Sequence, residues 1–230
     1  TTGIPKAMPA LERLAHQMVL ETDLFPPEKT ARGWVKDPTE ISEPEDLLPE
    51  SPEPEKKGKK EKAPTVRKQV LNQLVEAGAL QARGEGQVGF PHAMLAGFLA
   101  GKALSEFGGT GNVARQLPWA GRTLALQFLA TFLDVSAVIH NIYTEDNPLQ
   151  QGLMGTARWL RTAPKEARWR VEVMRRLVNI LQQPVTAYSI RTRALAALGT
   201  SGDPGVLTLC RKFLDSKDAV VRKLSSLGLG

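Results

Sequence analysis

Few side chains in this sequence could do chemistry, and their spacing excludes most of it. The three histidines, His16, His92 and His140, share no metal-ligand spacing with one another or with Cys210, the single cysteine. No G-x-x-x-x-G-K-[ST] segment is present to cradle a nucleotide, and no G-x-S-x-G nucleophile elbow. The glycine-rich G-G-T-G-N at 108–112 lacks the lysine and the preceding strand of a phosphate loop, and it reads as a linker. An enzymatic role is therefore not expected, and no metal or cofactor is expected on this chain. Two features remain. His92, in F-P-H-A-M-L, falls in the first turn of a helix, where free N–H groups and the positive dipole end favour an anion. Its imidazole could donate to a phosphate oxygen there; the plainer alternative is a histidine that caps its own helix or packs on the hairpin wing before it, with no ligand. The second feature is basic: residues 156–193 carry nine Lys or Arg against two Glu, a local charge of +7. Arg158, Arg161, Arg168, Arg170, Arg175 and Arg176 read as a solvated basic surface, which could attract nucleic acid or an acidic partner. No groove-reading or stacking motif accompanies the charge, so nucleic acid is disfavoured.

The elements that must position these residues are mostly helical. Leu11, Leu14, Ala15, Met18 and Val19 form one apolar stripe, and Pro26-Pro27 opens a short second helix with Trp34 and Val35. Eight acids and no base lie at 37–55, then five lysines at 56–62. That proline-rich stretch, 37–64, reads as a flexible insertion. Val66, Val70, Leu71, Leu74 and Val75 resume the helical pattern up to Gly78. The segments flanking G-E-G at 84–86 read as a short hairpin, followed at once by a helix with Met94, Leu95, Phe98, Leu99 and Ala103 inward. Helices, a two-stranded wing and a helix make the order of a winged-helix unit. Short helices then fill 124–133, 149–160, 168–181, 189–198, 204–214 and 219 onward, divided by proline-bearing turns. Trp34, Trp119, Trp159 and Trp169 read as core or helix-pair packing.

An internal repeat lies at the C-terminal end. I-R-T-R-A-L-A-A-L-G at 190–199 aligns with V-R-K-L-S-S-L-G-L-G at 221–230, an offset of 31 residues. Between them run S-G-D-P, an apolar helix and an aspartate-bearing turn. This resembles the HEAT repeat family, whose helix pairs stack into a solenoid. A looser unit at 153–183 has Ala157, Leu160, Val171, Met174, Leu177, Val178 and Leu181 as its expected core. Because the last repeat is cut inside its first helix, the chain is expected to be a fragment of a longer protein.

The segment from V-L-N-Q-L-V-E-A-G-A-L through G-F-P-H-A-M-L-A-G-F-L-A-G carries a second resemblance. It is similar to the end of the winged-helix domain of NACHT-type ATPases of the STAND class, with their "F-x-H-x-x-x-x-E-[FY]-[LF]-A-A". Phe90, His92, Phe98, Leu99 and Ala100 fill that pattern, while Gly97 stands at the family's Glu and Gly101 at its second Ala. The resemblance implies that His92 reaches the phosphates of a nucleotide, ADP or ATP, held on a missing ATPase domain. The fold class expected is mostly α: a winged-helix domain at 1–107, a helical connector at 108–152 and an α-solenoid of HEAT-like pairs at 153–230. The glycine-rich stretch 108–121 is the expected hinge. The expected function is a non-catalytic sensor or regulator in the cytoplasm, contacting its own ATPase domain and a protein partner through the repeats. One alternative is a HEAT scaffold with no nucleotide role. Another is a DNA-binding winged helix reading bases with Arg67, Lys68, Asn72 and Gln73. No apolar run is long enough to suggest a membrane span.

Overall fold

A computed structural model describes residues 7–35, 66–144 and 149–230, leaving aside the side chains of 66–69, 85 and 144. The insertion read at 37–64 lies outside the described residues. These form twelve α-helices and one antiparallel hairpin. Helix α1 (Ala7–Leu20) buries all five residues of its expected stripe, and α2 (Glu28–Trp34) starts directly after the Pro26-Pro27 pair. Helix α3 (Val66–Glu76) buries Leu71 and Leu74 and gives way to Gly78, whose φ of +72° suits a residue without a Cβ. Strands β1 (Gln81–Arg83) and β2 (Gln87–Gly89) pair with Gln81 opposite Gly89, closed by the 3-10 turn Gly84–Gly86. The Val88 N–H donates to Pro26 O at 3.1 Å, and the Arg83 guanidinium lies 4.3 Å from the centre of the Phe25 ring. Both contacts fix the hairpin to the approach into α2.

Helix α4 (Ala93–Phe107) corrects the expected inward face. Met94, Leu95 and Phe98 are exposed; the buried face is Ala96, Gly97, Leu99, Ala100, Gly101, Ala103 and Leu104. The cause is α6 (Ala120–Phe132), which approaches to backbone contact. A Cβ on Gly97 would lie 2.5 Å from Leu124 Cβ, and one on Gly101 2.7 Å from the Leu129 nitrogen and 2.8 Å from Ala125 O. Large side chains are therefore turned to the rim, where Phe98 meets Phe128 and Phe132 at centroid distances of 5.6 and 5.8 Å. Helix α4 also packs on α1. There Lys102 Nζ pairs with the buried Glu12 carboxylate at 2.7 Å, and His16 Nε2 donates to Gly108 O at 3.0 Å. A carbonyl only accepts, so Nε2 carries the proton.

The glycine-rich 108–112 is not a plain linker. Gly108 and Gly109, with φ of 82° and 90°, reverse the chain into α5 (Thr110–Arg115), a helix too short to leave a periodic signal. The stretch expected to hinge is tied down: Gln116 Nε2 donates to Val19 O (2.7 Å) and Leu20 O (3.1 Å), and Arg122 to Val113 O and Ala114 O. Helix α7 (Ser136–Thr144) is likewise absent from the sequence reading; Asp134 Oδ1 accepts from both the N–H and the hydroxyl of Ser136 at its start.

Beyond it, α8 (Gln151–Ala157) continues into the 3-10 turn Arg158–Arg161. It is followed by α9 (Arg168–Gln182), α10 (Tyr188–Thr200), α11 (Gly205–Phe213) and α12 (Ala219–Gly228). Helix α9 packs on α10 and α11 on α12, while α10 touches both α8 and α12. Two buried arginines tie these helices. Arg170 donates to Leu160 O and Ala163 O and lies 3.6 Å from Asp203. Arg191 donates from Nε to Leu181 O (2.8 Å) and pairs with Asp218 (2.6 Å). Each reaches ten residues back to a carbonyl near the end of the preceding helix and forward to an aspartate before the second helix on.

Two expectations for α9 are thereby corrected together. Arg170 is only 7% exposed and is no part of a solvated surface; Val171, expected in the core, is 73% exposed. The buried stripe is Trp169, Arg170, Val173, Leu177 and Leu181. The helix is rotated so that a guanidinium with three oxygen partners enters the core. No helix among the described residues is long and apolar enough to cross a membrane.

Candidate functional site: the α4 start and the cleft between α7 and α9

His92 is the residue at which α4 begins. Its backbone is extended (φ −129°, ψ 128°), and its carbonyl accepts from Leu95 N–H (3.1 Å) and Ala96 N–H (3.2 Å). The imidazole is exposed and makes no capping hydrogen bond, so the reading of a histidine that caps its own helix fails. An exposed imidazole beside uncapped first-turn N–H groups can meet an anion from outside this chain. The place of the family's Glu, Gly97, is closed by Leu124. On α3, Asn72 and Gln73 are exposed together with Glu76, and the side chains of Arg67 and Lys68 lie outside the described residues.

The expected basic surface divides. Arg158, Arg161, Arg168, Arg175 and Arg176 are exposed, and Arg170 is not. Arg175 and Arg176 both engage Glu172, Arg176 Nε at 2.6 Å from Oε1 and Arg175 on Oε2. Hydrogen bonds from Arg176 and then Arg175 hold the Glu172 carboxyl below the usual carboxylate range. The surface is thus less positive than its arginine count suggests.

Beside it, α7 and the start of α9 enclose a cavity of about 270 Å³. Helix α7 contributes Ser136, Ile139, His140 and Tyr143. Helix α9 contributes Arg168, Trp169, Glu172 and Arg176. The Arg176 guanidinium stacks on the Tyr143 ring 4.5 Å from its centre. Tyr143 Oη lies 3.3 Å from Thr156 Oγ1, which already donates to Leu153 O at 2.9 Å, so the phenol is the donor. Burial pushes that phenol up to about 12. Trp169 is 3% exposed and meets Trp159 edge to face at 6.4 Å. Neither indole N–H has an acceptor among the described residues. Sequence reasoning missed this cleft because α7 went unread. The signal was present: Asp134 two residues before Ser136, then Ile139 and Tyr143 four apart.

Among the described residues no group of three or more His, Cys, Asp or Glu is placed to hold a metal ion. Cys210 is buried, and that burial raises its thiol pKa. No family model matches the chain, and no curated protein or solved structure matches it either. The fold and these sites define a mostly helical chain with one small hairpin and an open, mainly apolar cleft.

Proposed function

We propose that this chain is a non-catalytic regulatory module of a STAND-like ATPase: a winged-helix unit, a helical connector and HEAT-like helix pairs. The observation that carries the reading is His92, exposed and unbonded at the opening of α4, directly after a hairpin, in the F-x-H setting of the resembled family. ADP or ATP would be bound by an ATPase domain of the same polypeptide in the cytoplasm, with His92 donating to its phosphates. The recurring Arg170 and Arg191 ties support a stacked array at α9–α12, whose outer face binds a protein partner. The test is ADP and ATP affinity of the protein joined to its ATPase domain, with and without His92→Ala. A selective loss of ADP binding of about tenfold or more is expected, the loss of one charge-assisted hydrogen bond. Equal ADP affinity in the variant overturns the latch.

A second reading, a plain HEAT scaffold with the winged helix as a packed plug, is favoured by one observation. The α4–α6 contact at Gly97 and Gly101 is at backbone distance, which suits a fixed joint better than a moving one. Under that reading His92→Ala changes neither nucleotide response nor partner binding.

A further inference from the structure

We propose that the cleft between α7 and α9 binds a small carboxylate with an aromatic or branched apolar body. Arg168 holds the carboxylate, while Ile139, Tyr143 and Trp169 receive the body. The cavity, about 270 Å³, lies just below the roughly 300–1,000 Å³ of ordinary ligand pockets, which limits the occupant to a small molecule. Its lining has the mixture such sites use, apolar and aromatic surface with a few polar groups.

The charge balance selects the head group. Of the two arginines in the lining, Arg176 is already committed, to Glu172 and to the face of Tyr143. Arg168 is exposed and makes no ion pair with a described residue. The neighbouring Asp134 is bonded to Ser136, and that bonding is the main reason its carboxyl sits below the usual range; Arg168 contributes only weakly. Arg168 is also the first residue of α9, a helix with no side-chain cap and no acid in its first turn. A cation at the positive end of a helix is unfavourable, and a bound anion relieves it while accepting from free first-turn N–H groups.

Trp169 lends the cleft an apolar wall: it is part of the lining and almost wholly buried. A monoanion matches the single uncommitted guanidinium and leaves the apolar surface for the ligand's body. The bidentate fork of arginine suits a planar carboxylate. Phosphate has no apolar part to use Ile139 and Tyr143.

This proposal rests on α7 and α9 alone, so its failure and that of the His92 latch are distinguishable. The test is a titration of the full chain, labelled with nitrogen-15, with benzoate and separately with inorganic phosphate. The tryptophan indole resonances are followed, with Trp169 assigned through Trp169→Phe. Benzoate is expected to shift the Trp169 resonance saturably, with affinity reduced about tenfold in Arg168→Gln. Arg161→Gln, an exposed arginine outside the lining, is expected to bind as the unaltered chain does. Absence of a saturable shift, or equal affinity in Arg168→Gln with its helical circular dichroism intact, overturns the site. Phosphate binding tighter than benzoate overturns the assignment of a carboxylate with an apolar body.

Discussion

The contact of α4 with α6 and the stack of α9 to α12 hold helices together by opposite means. The first works by absence: Gly97 and Gly101 remove side chains so that two backbones touch. The second works by long side chains, with Arg170 and Arg191 spanning from one helix end to the start of another. A backbone contact has no slack, because nothing between the helices can change rotamer. A guanidinium tie keeps some, and the two examples show it: Arg191 lies 2.6 Å from Asp218, Arg170 3.6 Å from Asp203. The N-terminal joint should therefore fail abruptly on substitution and the C-terminal stack by degrees.

The largest effect is expected where slack is absent. Gly101→Leu places a Cβ 2.7–2.8 Å from backbone atoms of α6, and neither helix can give way without losing the neighbouring burial of Ala100 and Leu104. A loss of about 3 kcal/mol or more is expected in urea denaturation. Met94→Ala, on the exposed face of the same helix, should move the midpoint far less. If both variants unfold together, packing through Gly101 does not hold this joint.

A middle-sized effect sharpens the comparison at the other end. Arg191→Leu removes the buried bond to Leu181 O, which by itself costs on the order of 1–2 kcal/mol. Its repeat counterpart Arg222 is exposed and bonds only to the loop carbonyls of Ser216 and Lys217, so Arg222→Leu should cost well under that. Acid separates the two further. The Asp218 carboxyl is held below its usual range, first by Arg191 and also by the N–H groups of Val220 and Val221 that it caps. As pH falls the unfolded chain takes up this proton first, so protonation favours unfolding. The Asp218 contribution is full above the ordinary carboxylate pKa of about 4 and is lost as pH drops through the depressed value. Thermal melts across that window should show a smaller pH slope in Arg191→Leu than in the parent chain.

How much of this was legible in the sequence follows from the same contrast. Regular stripes were readable: all five residues on α1 are buried as their spacing implied, and the hairpin around 84–86 forms where its glycines stand. What failed was the orientation of helices whose packing is not set by large apolar side chains. On α4, Met94 and Phe98 looked like core, but the face that packs is the one with the least side chain. On α9 a charged residue took the inward place, and Val171 was displaced by Arg170. Hydrophobic periodicity sees neither a glycine contact nor an arginine whose partners lie 10 residues back and 33 ahead. The cleft was hidden for a related reason, since α5 and α7 are only 6 and 9 residues long.

The smallest expected effect is the one that bears on function. His92 lies at the entry to the tightly packed α4, yet its side chain contributes nothing that the helix start needs: the carbonyl carries the first-turn bonds and the imidazole is exposed. His92→Ala should therefore change stability by less than about 0.5 kcal/mol, the range of an exposed site away from caps and core. His16 supplies the contrast, because its buried imidazole bonds Gly108 across the α1–α4 contact, and His16→Ala removes both that bond and the buried ring. Urea midpoints of the two variants decide the matter. A His92→Ala midpoint equal to the parent, with His16→Ala clearly lower, leaves the His92 imidazole free for an external anion. A His92→Ala loss as large as that of His16→Ala would make it a structural group, and the phosphate latch would lose its one exposed donor.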